Sequence, residues 1–216
     1  MRKILLVGTA AVGLFGVPLS AHAADCVIAP AATYTAAGFS CSVDGVTFSN
    51  IHVSSITTGT GVVTLGNFTP VQVTLNGVLE SGLSLNYLAS ATAGSTADVA
   101  LSFNVSGNLL DDAFLSLTAT DFLNATSSVN EVLSNGTVLN LLAAGTTTAT
   151  FAPIGELFVT KDQVNSGNNG TAQASILTNA FSVTVPSPIV GAGVPGLIAA
   201  CGGLLALARR RRRKTA

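Results

Sequence analysis

One stretch near the C-terminus restricts the possible structure of this chain more than any other. Residues 189–208 carry no charge, and a run of basic residues follows them directly. An α-helix rises about 1.5 Å per residue, so about twenty apolar residues cross a hydrocarbon core of about 30 Å. An arginine at the centre of a bilayer costs about 2.5–3.5 kcal/mol, so the basic run stays on the inner side. The stretch predicts a transmembrane helix, 189–208, stopped by Arg209, Arg210, Arg211, Arg212, Arg213 and Lys214.

The predicted span is only weakly apolar. It contains five glycines and Pro195 beside its eight Ile, Val and Leu residues, and each of these aliphatic residues contributes only about −0.3 to −0.6 kcal/mol to insertion. Two interpretations stay open. The span is either a simple glycine-rich anchor or a segment that a membrane enzyme recognises and then removes. Cys201 lies inside it, where we expect a small packing residue.

The N-terminus predicts export. Residues 2–3 are basic, 4–17 are apolar and 21–23 read Ala-His-Ala, which together form a signal peptide, 1–23, with a small-x-small cleavage site. The apolar part is too short to serve as a membrane anchor. We therefore expect residues 24–185 to be an exported body on the far side of the inner membrane.

A proline motif separates the body from the span. Pro186 and Pro188 flank Ser187 directly before the apolar stretch. The order of Pro-x-Pro motif, apolar helix and terminal Arg cluster resembles the PEP-CTERM sorting signal, which exosortase processes; the usual motif is Pro-Glu-Pro, and here Ser187 replaces the glutamate. The resemblance implies that Val185, Pro186, Ser187 and Pro188 form the sorting motif within a C-terminal signal, 186–216. It also implies an exosortase-like processing enzyme as partner and a Gram-negative bacterium as host.

The body contains two further resemblances to PEP-CTERM proteins. Its opening, from Cys26 to Cys41 and on through 46–50 (VTFSN), is similar to the N-terminus of many of them. Its end, with Lys161-Asp162, then 169–172 (NGTA) and Asn179-Ala180-Phe181-Ser182, is similar to their closing strands.

The charges are divided unevenly between body and terminal signals. All ten acidic residues lie between Asp25 and Asp162, whereas Lys161 is the single Lys or Arg between 24 and 185. An acidic exported body repels polyanions, so we predict no nucleic-acid partner.

Cys26 and Cys41 are the only cysteines outside the predicted span. In an exported protein such a pair is most simply a disulfide, worth about 3 kcal/mol for a loop of this length. Two free thiols are the alternative. A metal site is disfavoured because His52 is the one imidazole available in the body.

Alternating apolar and hydroxyl residues recur at intervals of about ten to fifteen residues through the body, separated by turn signals. This pattern predicts an all-β, antiparallel, jelly-roll-like β-sandwich with Ser and Thr on its outer faces. The predicted strands are 62–65, 71–75, 83–89, 99–105, 114–119, 131–133, 137–142, 157–164 and 172–185, with turns at Asp44-Gly45, Asn76-Gly77, 106–108, Asn135-Gly136 and 166–170.

The body lacks most of the residues that active sites use. A serine-type site would depend on His52 alone, and no phosphate loop or metal-binding spacing occurs, so we predict no enzyme activity, no cofactor and no metal. Oxygen ligands for Ca²⁺ could come from Asp111-Asp112, or from Asp162 with Asn165 and Asn168. Solvated carboxylates and turn-forming amides are the favoured interpretation of both groups.

Two functional hypotheses follow. The first is a non-enzymatic protein of the cell surface or extracellular matrix, held briefly in the inner membrane and then released by its sorting signal. The second is a module that binds exopolysaccharide, with Tyr34 and Tyr87 as the two side chains that combine a ring face with a hydroxyl.

Overall fold

A computed structural model describes residues 23–183, which are mostly β-structure, so the all-β prediction is confirmed. This part of the chain contains one short helix, α1 (Ala31–Tyr34), and eleven strands. The strands are β1 (Ala24–Asp25), β2 (Ala29–Pro30), β3 (Ser40–Val43), β4 (Val46–Thr58), β5 (Val62–Leu75), β6 (Val78–Ala91), β7 (Thr96–Phe122), β8 (Thr126–Leu133), β9 (Val138–Leu141), β10 (Gly145–Ser166) and β11 (Thr171–Phe181).

The strands form one continuous sheet that curls over itself. The long strands β7 and β10 pair with each other and run through both halves. In the first layer, residues 96–106 of β7 lie between β4 and residues 156–166 of β10, with β8 and β9 beyond. In the second layer, the order is residues 145–154 of β10, the rest of β7, then β11, β6, β5 and β2. The pairing is antiparallel except for β1 with β3.

The sequence predicted a turn at 106–108 between two strands, and this was wrong. The chain bends there without leaving the sheet, so that both predicted strands belong to β7. Leu109 takes a left-handed conformation (φ 61°), and the partner strand β10 shifts its register twice between Thr150 and Glu156. Such irregularities increase local twist and let a strand cross from one layer to the other.

Two tight turns confirm the sequence prediction. Asp44 and Gly45 join β3 to β4, and Asn76 and Gly77 join β5 to β6; all four have positive φ (44°, 85°, 50° and 83°). Two-residue hairpins require this geometry because it matches the twist of the flanking strands.

Inward-facing side chains of both layers share one apolar core. Phe48 and Phe103 of the first layer and Phe181 of the second lie with ring centroids 5.9 to 6.5 Å apart. Within residues 23–183, no helix is long and apolar enough to cross a bilayer. The predicted helix 189–208, the basic run 209–214, the sorting motif 185–188 and nearly all of the signal peptide lie outside the described residues.

Candidate functional site

Three polar side chains occupy core positions that the strand alternation reserves for apolar residues. Glu131 on β8, Lys161 on β10 and Asn179 on β11 are all buried. Buried apolar residues adjoin each of them on the inward face of its strand. Glu131 lies between Val129 and Leu133, Asn179 lies between Leu177 and Phe181, and Lys161 follows Leu157 and Val159 and precedes the buried Gln163. This site was not predicted from the sequence, although the period of two in each strand is a signal that places all three residues on inward faces.

Lys161 and Glu131 form a buried ion pair. They are directly opposite each other on β10 and β8, Lys161 Nζ lies 2.7 Å from Glu131 Oε2, and neither side chain is exposed. Nζ also lies 5.6 Å from the centroid of the Phe103 ring. Burial lowers the pKa of Lys161, and the neighbouring Glu131 carboxylate opposes that effect.

Asn179 joins this pair from the opposite layer. Its Nδ2 donates to Phe114 O at 2.7 Å and lies 3.2 Å from each carboxylate oxygen of Glu131. Its Oδ1 is buried and has no hydrogen-bond partner among residues 23–183. Lys161 and Asn179 line a cavity of about 10 Å³ together with apolar residues, among them Phe103, Leu83 and Leu177.

Two further buried polar side chains, the amides of Gln163 and Asn165, lie further along the same face of β10. Gln163 Nε2 donates to Asn165 Oδ1 at 2.7 Å, and Asn165 Nδ2 donates to Ala89 O at 2.6 Å. These bonds join β10 in the first layer to β6 in the second. Asn165 therefore has a structural role in the core and is not available as a Ca²⁺ ligand.

The acidic pair Asp111-Asp112 holds the end of β11. Ser182 donates its backbone N–H to Asp112 Oδ1 at 2.8 Å and its hydroxyl to Asp111 Oδ1 at 2.6 Å. Val183 forms one further bridge to Leu110. The pair thus fixes the chain where it leaves the sheet.

The remaining candidate ligands do not converge. Asp162 lies beside Asp98 on the outer face of β10, whereas Asn165 lies on the inner face. The side-chain amide of Asn168 donates to Asn124 O. Burial and the hydrogen-bonded Asp162 carboxylate raise the pKa of Asp98 to about 6. In the described part of the chain, no three His, Cys, Asp or Glu residues are grouped as metal ligands. His52 is exposed in a shallow surface depression with Ser54 and Ser102.

The predicted disulfide is confirmed. Cys26 and Cys41 are bonded, with their Cα atoms 4.8 Å apart, and they close a sequence separation of 15 residues. Both are buried. The bond ties the N-terminal strand β1 to β3, so the start of the body is fixed covalently to the edge of the first layer.

The role predicted for the tyrosines was wrong. Tyr34 is 1% exposed and Tyr87 is 6% exposed, so neither presents a ring face to a sugar. Tyr34 packs on Phe39 and Phe68 and donates its hydroxyl to Val27 O at 2.7 Å. The alternation in LSLNYLA places Tyr87 on the same inward face as Leu83 and Leu85. An aromatic ring buries a large apolar area, so Tyr87 stabilises the core from that position.

No family model matches the chain, and no curated protein matches it. Several solved structures resemble part of it. The enzymatically active domain of tailspike protein 4 of bacteriophage CBA120 is 15% identical (TM-score 0.31), over 61% of this chain and 19% of that one. A family two carbohydrate esterase from Cellvibrio japonicus is 12% identical (TM-score 0.25), over 64% of this chain and 36% of that one. A family 11 carbohydrate-binding module of a Clostridium thermocellum cellulase is 12% identical (TM-score 0.24), over 62% of this chain and 89% of that one.

The chain therefore spans about a fifth and about a third of the first two matched proteins. At these TM-scores the matches assign no family, activity or ligand to this chain. The class of protein that the described residues define is an all-β body, closed at its start by a disulfide and containing a buried Lys–Glu–Asn cluster.

Proposed function

We propose that this chain is an exported, non-enzymatic protein of the cell surface or extracellular matrix, delivered by a C-terminal sorting signal of the PEP-CTERM type. The observation that supports it most is the layout of the tail, with a Pro-x-Pro motif, an uncharged stretch of twenty residues and six terminal basic residues in that order. A Gram-negative host, an inner-membrane intermediate and an exosortase-like enzyme belong to the same proposal.

The way in which the body ends supports this proposal. Ser182 is bonded to Asp111 and Asp112, and the motif begins three residues later at Val185. The prolines at 186 and 188 disfavour helix in the residues before them. We propose that a membrane enzyme cuts in this short stretch, directly after the body.

The test is mass spectrometry of the mature protein's C-terminus. The full-length chain is expressed in a Gram-negative host with an exosortase, and in the same host with the exosortase gene deleted. We expect the terminus to fall at 185–188 in the first host and at Ala216 in the second. A mature surface protein that retains 209–216 in both hosts would refute processing, and full-length protein found in the cytosol with its signal peptide would refute export.

Polysaccharide binding is the second candidate function. The outer face of the first layer is a better location for a sugar site than the buried tyrosines. Phe158 is 45% exposed there, next to Thr160 on β10 and directly opposite Asn104 on the paired strand β7. An exposed ring with hydroxyl and amide neighbours suits a sugar, which needs both stacking and hydrogen bonds. Pulldown on the host's matrix polysaccharide tests it: Phe158→Ala should abolish retention, whereas Phe122→Ala, on another exposed phenylalanine, should not.

A further inference from the structure

The buried cluster brings together an amine, a carboxamide and a carboxyl group in an apolar pocket. We propose that Lys161 and Asn179 become joined by an intramolecular isopeptide bond between Nζ and Cγ, and that Glu131 transfers the protons. The bond would connect β10 of the first layer to β11 of the second.

The geometry places the reacting groups around one oxygen atom. Lys161 Nζ is 2.7 Å from Glu131 Oε2, and Asn179 Nδ2 is 3.2 Å from the same atom. The two nitrogens therefore cannot be further apart than the sum of these distances. Groups held beside one another in a packed core no longer have to find each other by diffusion, and this lowers the entropic part of the barrier.

The surroundings favour an uncharged amine, which is the nucleophilic form. Phe103, Leu83 and Leu177 line the pocket together with Lys161, and burial lowers the pKa of the lysine. In a site of low dielectric constant, a proton passing from the ammonium of Lys161 to the carboxylate of Glu131 replaces two buried charges with two neutral groups. Lysines desolvated in this way act as nucleophiles.

The reaction balances with these three side chains alone. From the neutral pair, the Lys161 amine adds to Cγ of Asn179, and its surplus proton passes to Glu131 once Glu131 has given up its own. Glu131 gives its own carboxyl proton to Nδ2, to which it is already adjacent, so the Cγ–Nδ2 bond breaks and ammonia leaves. Glu131 ends in the protonation state in which it began, and no oxidant or other reactant is consumed.

Two buried polar atoms of this cluster have fewer partners than they could bind. Apart from the contact with Glu131, Lys161 Nζ makes no hydrogen bond within residues 23–183, and neither does Asn179 Oδ1. Buried polar groups are normally paired, and a buried charge is costly. The product amide removes the charge and leaves a single N–H beside the Glu131 carboxyl group.

The sequence makes the test simple, because Lys161 is the single Lys or Arg between 24 and 208. The full exported chain is purified, reduced, denatured and treated with trypsin. We expect no cleavage after residue 161, together with a mass lower than the calculated one by one ammonia. Cleavage after Lys161 with the full calculated mass would overturn the proposal.

Variants separate the chemistry from a structural role. Glu131→Gln and Asn179→Ala should restore trypsin cleavage and the full mass, whereas Asn165→Ala, in an equally buried asparagine outside the cluster, should leave the bond intact. Asn179→Asp should lose one water in place of one ammonia, a signature that a purely structural Asn179 cannot give. If Glu131→Gln still loses ammonia, Glu131 does not transfer the protons.

Discussion

The backbone N–H of Ser182 donates to Oδ1 of Asp112 at 2.8 Å, and this bond fastens the last residues of the body to the bend in β7. Asp112→Ala would leave a part-buried donor without its acceptor, which costs about 1–3 kcal/mol. We expect that loss in the free energy of unfolding by urea. Asp112→Asn keeps an acceptor oxygen at the same place and should lose clearly less. Equal losses in the two variants would mean that the charge, and not the hydrogen bond, stabilises this end.

The disulfide should contribute about 3 kcal/mol, since it closes a separation of 15 residues. Cys41→Ala should lower the free energy of unfolding by about that amount, and reduction of the wild-type protein should do the same. Cys201→Ser is the matched control, because that cysteine lies in the predicted span, and it should leave the stability of the body unchanged. Thiol titration of the denatured, unreduced chain, in its unprocessed form that still carries Cys201, should find one free thiol; three would contradict the bond.

The two tyrosines form a natural pair for comparison. Tyr34 donates to Val27 O, whereas the buried hydroxyl of Tyr87 has no partner among the residues that the structure describes. Tyr34→Phe should therefore cost about 1 kcal/mol in the free energy of unfolding, and Tyr87→Phe should be neutral or stabilising. A loss at Tyr87 as large as that at Tyr34 would show that a water molecule or another group satisfies the Tyr87 hydroxyl.

Glu80 should make stability depend on pH. Burial, with a contribution from Asp112, raises its pKa from an ordinary value of 4.5 to about 8. Between these values the folded state holds a proton that the unfolded chain has released. The contribution of Glu80 to stability is therefore fully present below about pH 4.5 and is lost as the pH rises towards 8. Asp98, with a pKa of about 6, acts in the same direction over the lower part of this range.

The test of the Glu80 effect compares thermal unfolding of the wild type and Glu80→Gln from pH 6 to pH 8. We expect the fall in Tm to be smaller in the variant, because glutamine does not titrate. Glu156→Gln, at an exposed position, should follow the wild type. Parallel curves for the wild type and Glu80→Gln would exclude Glu80 as the source of the pH dependence.

The basic run 209–214 should stop the transfer of the chain across the inner membrane. Replacing Arg209 to Arg213 with glutamine removes the charges that resist transfer, and we expect the variant to be missorted, with a reduced fraction at the cell surface. Fractionation followed by immunoblotting measures that fraction. The single change Lys214→Gln keeps five arginines and should be delivered normally. Normal delivery of the five-fold variant would contradict the proposed sorting route.

Much of the fold could be predicted from alternation and turn chemistry. The hairpins at Asp44-Gly45 and Asn76-Gly77 depend on a few neighbouring residues, and local sequence suffices for them. The continuity of β7 could not be predicted in this way, because Ser-Gly-Asn is as typical of a turn as of a bend. Which one forms depends on β10, a partner about fifty residues away that keeps pairing with β7 on both sides of the bend.

The buried cluster was only partly accessible from sequence. Period-two alternation places Lys161 on the inward face of its strand, and the same holds for Glu131 and Asn179. Resemblance drew attention to the segments around Lys161 and Asn179 without giving either residue a chemical role. Their meeting depends on the order of strands, because β8 pairs with β10 in one layer whereas β11 lies in the other.

The sequence by itself determined the local features of this protein: the alternating strands, the tight turns, the pair of cysteines that could bond, and the charged and apolar runs that predict its localisation. These depend on residues that are neighbours in the chain. Only the tertiary structure decided that Asp112 holds Ser182, that Tyr34 packs on Phe68, and that Lys161 and Asn179 meet at Glu131. Those contacts join residues far apart in the chain, and the curling of one sheet over a shared core brings them together.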